Sequence, residues 1–183
     1  MPLQVLNVVI NSSNNYETVA GFISNNREKL YQHFNAIREV IIDNYIINKN
    51  IAPENYFFNL EPSFISSLFG IQGRLDLMVE NRHTDKTRLD IVELKSSKPP
   101  NNNVLVKLGV NEQGLYKIYI PLWINHYIQI ICYNMLLKVL TTENNDYEIG
   151  LSAILYSNSN DDKRMRNVVD NDIAQQEIIK MRN

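Results

Sequence analysis

Asp76, Glu93 and Lys95 are the residues of this 183-residue chain whose types and spacing could do chemistry. They sit in two runs with apolar residues on alternate positions, Gly70-Ile-Gln-Gly-Arg-Leu-Asp-Leu-Met-Val79 and Leu89-Asp-Ile-Val-Glu-Leu-Lys95, joined by a polar, turn-like stretch from Asn81 to Arg88. If these runs pair as an antiparallel hairpin centred on Thr84-Asp85, Asp76 falls opposite Glu93, with Cα atoms about 4.5–5.5 Å apart. Two carboxylates that close repel by about 3 kcal/mol at an effective dielectric of 20. A hard divalent cation such as Mg²⁺ relieves that repulsion, because it takes carboxylate oxygens. Lys95, two residues beyond Glu93, leaves the same face of its strand. There an ammonium can position a water and offset charge on a phosphoryl transition state. The same residues also suit a half-exposed strand pair with ordinary surface charges, since an Asp…Glu-x-Lys pattern is common by chance.

Neighbouring residues favour the chemical reading. Gly70 and Gly73 flank the start of the Asp76 strand, where close backbone approach is useful. His126, Gln129 and Tyr133 recur at steps of three and four, so on a helix they share one face. Such a polar stripe beside an apolar one needs a buried partner or a ligand, unless it is simply a solvent-facing surface. Arg74 and Lys98 are candidate phosphate contacts.

These residues have to be positioned by a small set of elements. A helix is expected over about Ser24 to Ile47, with an apolar stripe of Leu30, Phe34, Ile37, Ile41 and Tyr45 and a capping box at Asn25 and Glu28. Extended structure follows from Phe57 to Phe69, interrupted by Pro62, and then the two strands above. Pro99-Pro100 opens a loop of unassigned structure. Helical periodicity returns from Trp123 to Leu140, with Ile124, Ile128, Ile131, Met135 and Val139 on one face. A strand at Leu151 to Tyr156 and a helix from Asp170 to Met181 close the chain. The apolar start, Met1 to Tyr16, has no evident partner. The order helix, three strands, helix, strand, helix implies an α/β or α+β sandwich around a mixed sheet flanked by helices.

Three segments together resemble the PD-(D/E)XK nuclease superfamily: Phe69-Gly-Ile-Gln-Gly-Arg-Leu-Asp76-Leu, Ile91-Val-Glu93-Leu-Lys95-Ser-Ser and His126-Tyr-Ile-Gln129-Ile-Ile-Cys-Tyr133. The Gln-x-x-x-Tyr helix resembles the RecB-like branch. Leu60-Glu61-Pro-Ser-Phe-Ile and Ile178-Ile-Lys-Met-Arg-Asn183 are similar to nuclease domains of large DNA helicase–nucleases. The resemblance covers 56–183 and implies a restriction-endonuclease-like core preceded by an N-terminal helical part, 1–55, in a single domain. It implies a Mg²⁺- or Mn²⁺-dependent deoxyribonuclease, an exonuclease acting on single strands or DNA ends in repair, recombination or replication. By that analogy Asp76, Glu93 and the backbone carbonyl of Leu94 hold the metal, Lys95 orients the attacking water, and Gln129 and Tyr133, with His126 beside them, shape the site. Glu61 matches an acidic position of unassigned role. Relatives often supply a further ligand from a helix before the sheet; His33 and Glu39 lie on such a helix but match no motif, and His33 borders the apolar stripe. The gaps suggest a minimal core, a piece of a larger protein, with DNA and a helicase domain or subunit as partners. Two other readings remain: a catalytically weak nuclease-like DNA-binding or assembly module, and a site-specific restriction-type endonuclease.

Composition sets the outer limits. The chain is 44% hydrophobic and 21% charged, normal for a folded domain and too apolar for a disordered one. No apolar run approaches the roughly 20 residues that cross a bilayer. The start Met-Pro-Leu-Gln lacks the features of a signal peptide, so a cytoplasmic protein is expected. A single cysteine, Cys132, excludes an internal disulfide or a cysteine-ligated iron–sulfur cluster from this chain alone, and is expected in the core. The net charge of −2 argues against gripping nucleic acid by bulk positive charge, although carboxylates gathered at a metal site lower the total while the ion restores local positive charge.

Overall fold

The computed structural model describes residues 16–47, 52–82, 85–111, 114–159 and 164–182. Helix α1 (Tyr16–Ile41) runs into a π-helical turn (Ile42–Ile46), and a short 3-10 turn (Pro53–Asn55) leads to the strands. These are β1 (Tyr56–Leu60), β2 (Ser63–Ser66), β3 (Ile71–Arg74), β4 (Leu77–Asn81), β5 (Thr87–Lys95), β6 (Val104–Asn111) and β7 (Gly114–Ile120). Helix α2 (Ile124–Glu143), β8 (Tyr147–Tyr156), β9 (Met165–Asn167) and α3 (Asp172–Arg182) complete the chain. The fold is α/β. Five strands form a mixed sheet in the order β1-β4-β5-β8-β9, with β5 and β8 parallel and the other neighbours antiparallel. No described helix is long and apolar enough to cross a membrane.

Strand β5 lies at the centre of the sheet and is buried on both faces from Leu89 to Glu93, so its apolar run is nearly continuous. Leu89, Ile91 and Ile154 join the larger core beneath α2, with Ile130, Ile131, Met135 and Leu137. Val79, Val92 and Leu155 face the other way and meet Tyr45, Ile37, Val40 and Ile41 of the α1 segment. Helices therefore cover both faces of the sheet.

The hairpin containing Asp76 has the expected register: Leu77 faces Val92 and Val79 faces Asp90, and one step outward would carry Asp76 against Glu93. The strand expected over Ile71 to Val79 is broken, however, at Leu75-Asp76. Strands β1 and β2 form one arm and β3 and β4 the other, and the arms keep a single register from Tyr56↔Asn81 through Leu60↔Leu77 to Ser63↔Arg74 and Ser66↔Ile71. Across the kink, Glu61 N–H donates to the Asp76 carbonyl (3.1 Å) and Leu75 N–H to the Pro62 carbonyl (3.0 Å). Pro62 marks the bend as expected, and Glu61 takes a φ of 51° there. That left-handed backbone is uncommon for a residue with a Cβ, and such strain concentrates where geometry serves function.

Other expectations need correction. Helix α1 already spans Tyr16–Ile41 among the described residues, so Asn25 and Glu28 lie within it rather than at its start. Its stripe is only partly covered: Tyr45 is buried, but Phe34 is 61% exposed, because the apolar residues of this segment that join the sheet's core run from Ile37 on. On α2 the buried face is wider than predicted and shifted: Ile131 and Met135 are fully buried, while Ile124 and Ile128 are exposed and Tyr127, Ile130 and Leu137 replace them. The loop after Pro100 contains a hairpin, β6–β7, whose Val106, Leu108 and Ile120 enter the larger core. Cys132 is half-buried rather than central, and burial pushes its thiol pKa up. The apolar run expected at Met1 to Tyr16 lies, up to residue 15, outside the described residues.

Candidate active site

The kink decides what lies beside Leu94. Strand β4 stops pairing at Leu77↔Val92, so the backbone of Leu94 has no strand partner on that side. The Asp76 carboxylate takes its place: Oδ2 accepts the Leu94 N–H at 2.8 Å. In an extended strand the N–H and C=O of one residue leave on the same side, as the paired bonds of an antiparallel ladder require. The Leu94 carbonyl is thereby directed to the region where Asp76 sits.

Glu93, on the α2 face of β5, is buried. Its Oε1 accepts from Lys95 Nζ at 2.8 Å and from Gln129 Nε2 at 2.6 Å. Gln129 Nε2 also donates to the Tyr133 hydroxyl at 2.7 Å, and that hydroxyl donates to the Arg74 carbonyl at 2.9 Å. The chain of contacts thus runs from the central strand through one face of α2 to the kinked arm. The second Glu93 oxygen, Oε2, is buried with no hydrogen-bond partner. Burial pushes the Glu93 pKa above the usual carboxylate range; the Lys95 hydrogen bond opposes this and the nearby Asp76 charge adds to it. A buried carboxylate oxygen without a donor is costly, and a bound hard cation would satisfy it. Asp76, Glu93 Oε2 and the Leu94 carbonyl are oxygen donors of the kind Mg²⁺ takes, with one or two carboxylates and water in the remaining positions. Among the described residues no group of three or more His, Cys, Asp or Glu side chains gathers as metal ligands.

Gly73 shows why the arm docks where it does. A Cβ there would lie 2.8 Å from Tyr133 Cε1, so only glycine lets the Tyr133 ring pass beneath β3 and reach the Arg74 carbonyl. Gly70, with φ 57°, serves the turn between β2 and β3 instead. Removing the Tyr133 hydroxyl breaks two contacts at once. Tyr133→Phe is expected to lower any metal-dependent cleavage about tenfold, the lower end of the range for groups that orient ligands, with little loss of stability; initial rates and thermal melts of the two proteins check this.

The remaining predicted residues divide. His126 lies beside the pair: its Nδ1 is 2.9 Å from the Tyr156 hydroxyl, and burial and, secondarily, the Lys95 charge lower its pKa, keeping it neutral at pH 7. Arg74 and Glu61 face each other at 3.5 Å on the exposed side of the kink. Lys98 is exposed at the far end of β5, its carbonyl accepting from Trp123 Nε1 at 2.9 Å. His33 is on α1, across the sheet, where its Nδ1 lies 2.8 Å from Ser157 Oγ; Ser157 in turn donates to the Lys95 carbonyl. Glu39 pairs with Arg164 at 2.7 Å. Arg166 was not among the expected residues. The only signal for it is its place on β9, a strand of three residues too short to stand out by periodicity.

The chain matches no protein-family model and no curated protein.

Proposed function

We propose that the chain is a metal-dependent phosphodiesterase that cuts DNA, with a restriction-endonuclease-like core of the RecB-like kind. The observation that carries this reading is the buried Glu93, held on one oxygen by Lys95 and Gln129 and bare on the other, next to Asp76 at the point where β4 leaves β5. Asp76, Glu93 and the Leu94 carbonyl would hold Mg²⁺ or Mn²⁺. When bound, the ion would polarise a phosphoryl oxygen and make water a better nucleophile. Lys95 hydrogen-bonds and orients that water and offsets the charge gathering on the phosphorane-like transition state. Gln129 fixes the Glu93 carboxylate, and Tyr133 fixes Gln129 and the arm that carries Asp76. His126, neutral and bonded to Tyr156, keeps a second positive charge away from Lys95. Single strands or DNA ends are the proposed substrates, and a helicase domain or subunit the proposed partner.

The test is cleavage of labelled single-stranded and linear duplex DNA with Mn²⁺ or Mg²⁺. Wild type is expected to cut and Asp76→Ala and Lys95→Ala to lose at least about 10²-fold of that rate. Equal rates for all three proteins would sink the reading. Calorimetric Mn²⁺ binding that depends on Asp76, with no cleavage by wild type, would instead assign a nuclease-like binding module.

A further inference from the structure

A polar cleft of about 290 Å³ opens beyond the end of β5, between the loop that carries Lys98 and Asn101 and the loop that carries Asn158 and Ser159. Arg166 closes its third side. Among the described lining residues are two cations, Lys98 and Arg166. Its position follows from strand register. Glu93 is paired with Ile154, and Ile154 with Arg166, so Arg166 leaves the same face of the sheet as Glu93. Two inter-strand spacings separate them, about 10 Å. His126 and Tyr156 lie on the same side of the molecule. His126 Nδ1 lies 2.9 Å from the Tyr156 hydroxyl, with the two ring centroids 5.6 Å apart. An aromatic group lies beside the cleft: Trp123 is 44% exposed, and its ring nitrogen donates to the carbonyl of Lys98, a lining residue.

Cations beside a half-exposed indole are what a flexible polynucleotide strand uses, phosphates on the charges and a base on the ring. A folded duplex cannot offer a base this way. We propose that the cleft of Lys98, Asn158, Ser159 and Arg166 is a binding subsite for single-stranded DNA, holding the stretch of strand next to the bond that is cut. Arg166 and Lys98 contact phosphate oxygens, and Trp123 stacks on a base. This rests on the phosphodiesterase reading, and it places two cations, Lys98 and Arg166, beside the carboxylate pair of a chain whose net charge is −2.

Trp123 is the chain's only tryptophan, and its bond to the Lys98 carbonyl places its fluorescence beside this cleft. Titration of the full chain with oligo(dT) in Ca²⁺ is expected to quench that fluorescence. Arg166→Ala and Lys98→Ala should each raise Kd about tenfold, and each should lower the slope of log K against log salt by about 0.7, the loss of one phosphate contact to a single strand. Arg166→Lys should recover part of the affinity by keeping the charge, which a purely structural role for the guanidinium would not predict. Lys98 is exposed, so its variant remains informative if Arg166→Ala fails to fold. Unchanged Kd and salt slope in Lys98→Ala together with unchanged Kd in Arg166→Lys, or oligo(dT) binding without any change in Trp123 emission, would overturn the subsite. Mn²⁺-dependent cleavage by Asp76→Ala at the wild-type rate would overturn the catalytic reading alone, leaving the fluorescence titration to decide the cleft.

Discussion

Glu93→Gln is expected to abolish metal-dependent cleavage and, in the absence of metal, to leave the fold at least as stable as wild type. The two effects have opposite signs because, on the proposed function, one carboxylate serves chemistry at the expense of folding. In the metal-free protein burial raises the Glu93 pKa, so the folded state prefers the neutral form relative to the unfolded chain. Gln supplies that neutral form in nearly the same shape, and Lys95, whose side chain is 20% exposed, can turn to water. The sign with pH follows. A raised carboxyl pKa costs nothing below its unfolded value; the cost grows as pH rises toward the folded pKa and is full above it. The advantage of Gln is therefore present at neutral pH and vanishes on acidification through the carboxylate range. For cleavage, the loss should be on the order of 10²–10³-fold or more, the usual result of removing one electrostatic stabiliser. Melting curves at pH 7 and at pH 4, beside initial rates with Mn²⁺, measure both. A variant that melts well below wild type at pH 7 while still cutting DNA would contradict the assignment of Glu93.

Gly150→Ala should produce the largest loss of stability, about 3 kcal/mol or more. On β8, Gly150 lies against the buried Asp90, which accepts from Arg88 Nε at 2.9 Å and from the Leu151 N–H at 2.6 Å. A Cβ at position 150 would meet Asp90 Oδ1 and Arg88 Nε inside any tolerable contact distance. Overpacking of this kind costs about 1–3 kcal/mol. If Asp90 moves aside, the Leu151 N–H also loses its acceptor, at about 1–3 kcal/mol more. The cluster matters because the β5–β8 register shifts between Leu89 and Ile91: Asp90 is the residue at the irregularity, and its carboxylate holds the two parallel strands together there. Denaturant unfolding of the variant checks the prediction, and a loss below about 0.5 kcal/mol, the usual scale of surface changes, would refute it.

How much of this was legible in the sequence depends on the kind of signal involved. The facing of Leu77 by Val92 could be read because alternating apolar positions and one short polar turn leave few registers that bury the same face. The α2 contacts of Gln129 and Tyr133 could be read as a shared helix face, but not that their hydroxyl and amide reach Glu93 and the Arg74 carbonyl; that requires the distance between elements. The break at Asp76 was hidden because Leu75 and Leu77 keep strict alternation across it, and the kink lies in the backbone of Glu61 rather than in composition. The β6–β7 hairpin was missed although Val104, Val106 and Leu108 alternate, because Asn101 to Asn103 and the paired prolines signal a loop just before it. The exposed Phe34 shows the limit of periodicity: an apolar stripe names a face without saying how far along the helix its cover extends.

The kink at Asp76 also separates two roles that share one side chain. Oδ2 occupies the place of a missing strand carbonyl and answers to the backbone of Leu94, as any acceptor of similar shape could. On the proposed reading the other oxygen would face the metal, and only there would the negative charge matter. On that reading folding and chemistry would constrain different atoms of the same residue. A lineage could lose the second function through a single amide substitution at Asp76 while the architecture went on reproducing itself unchanged.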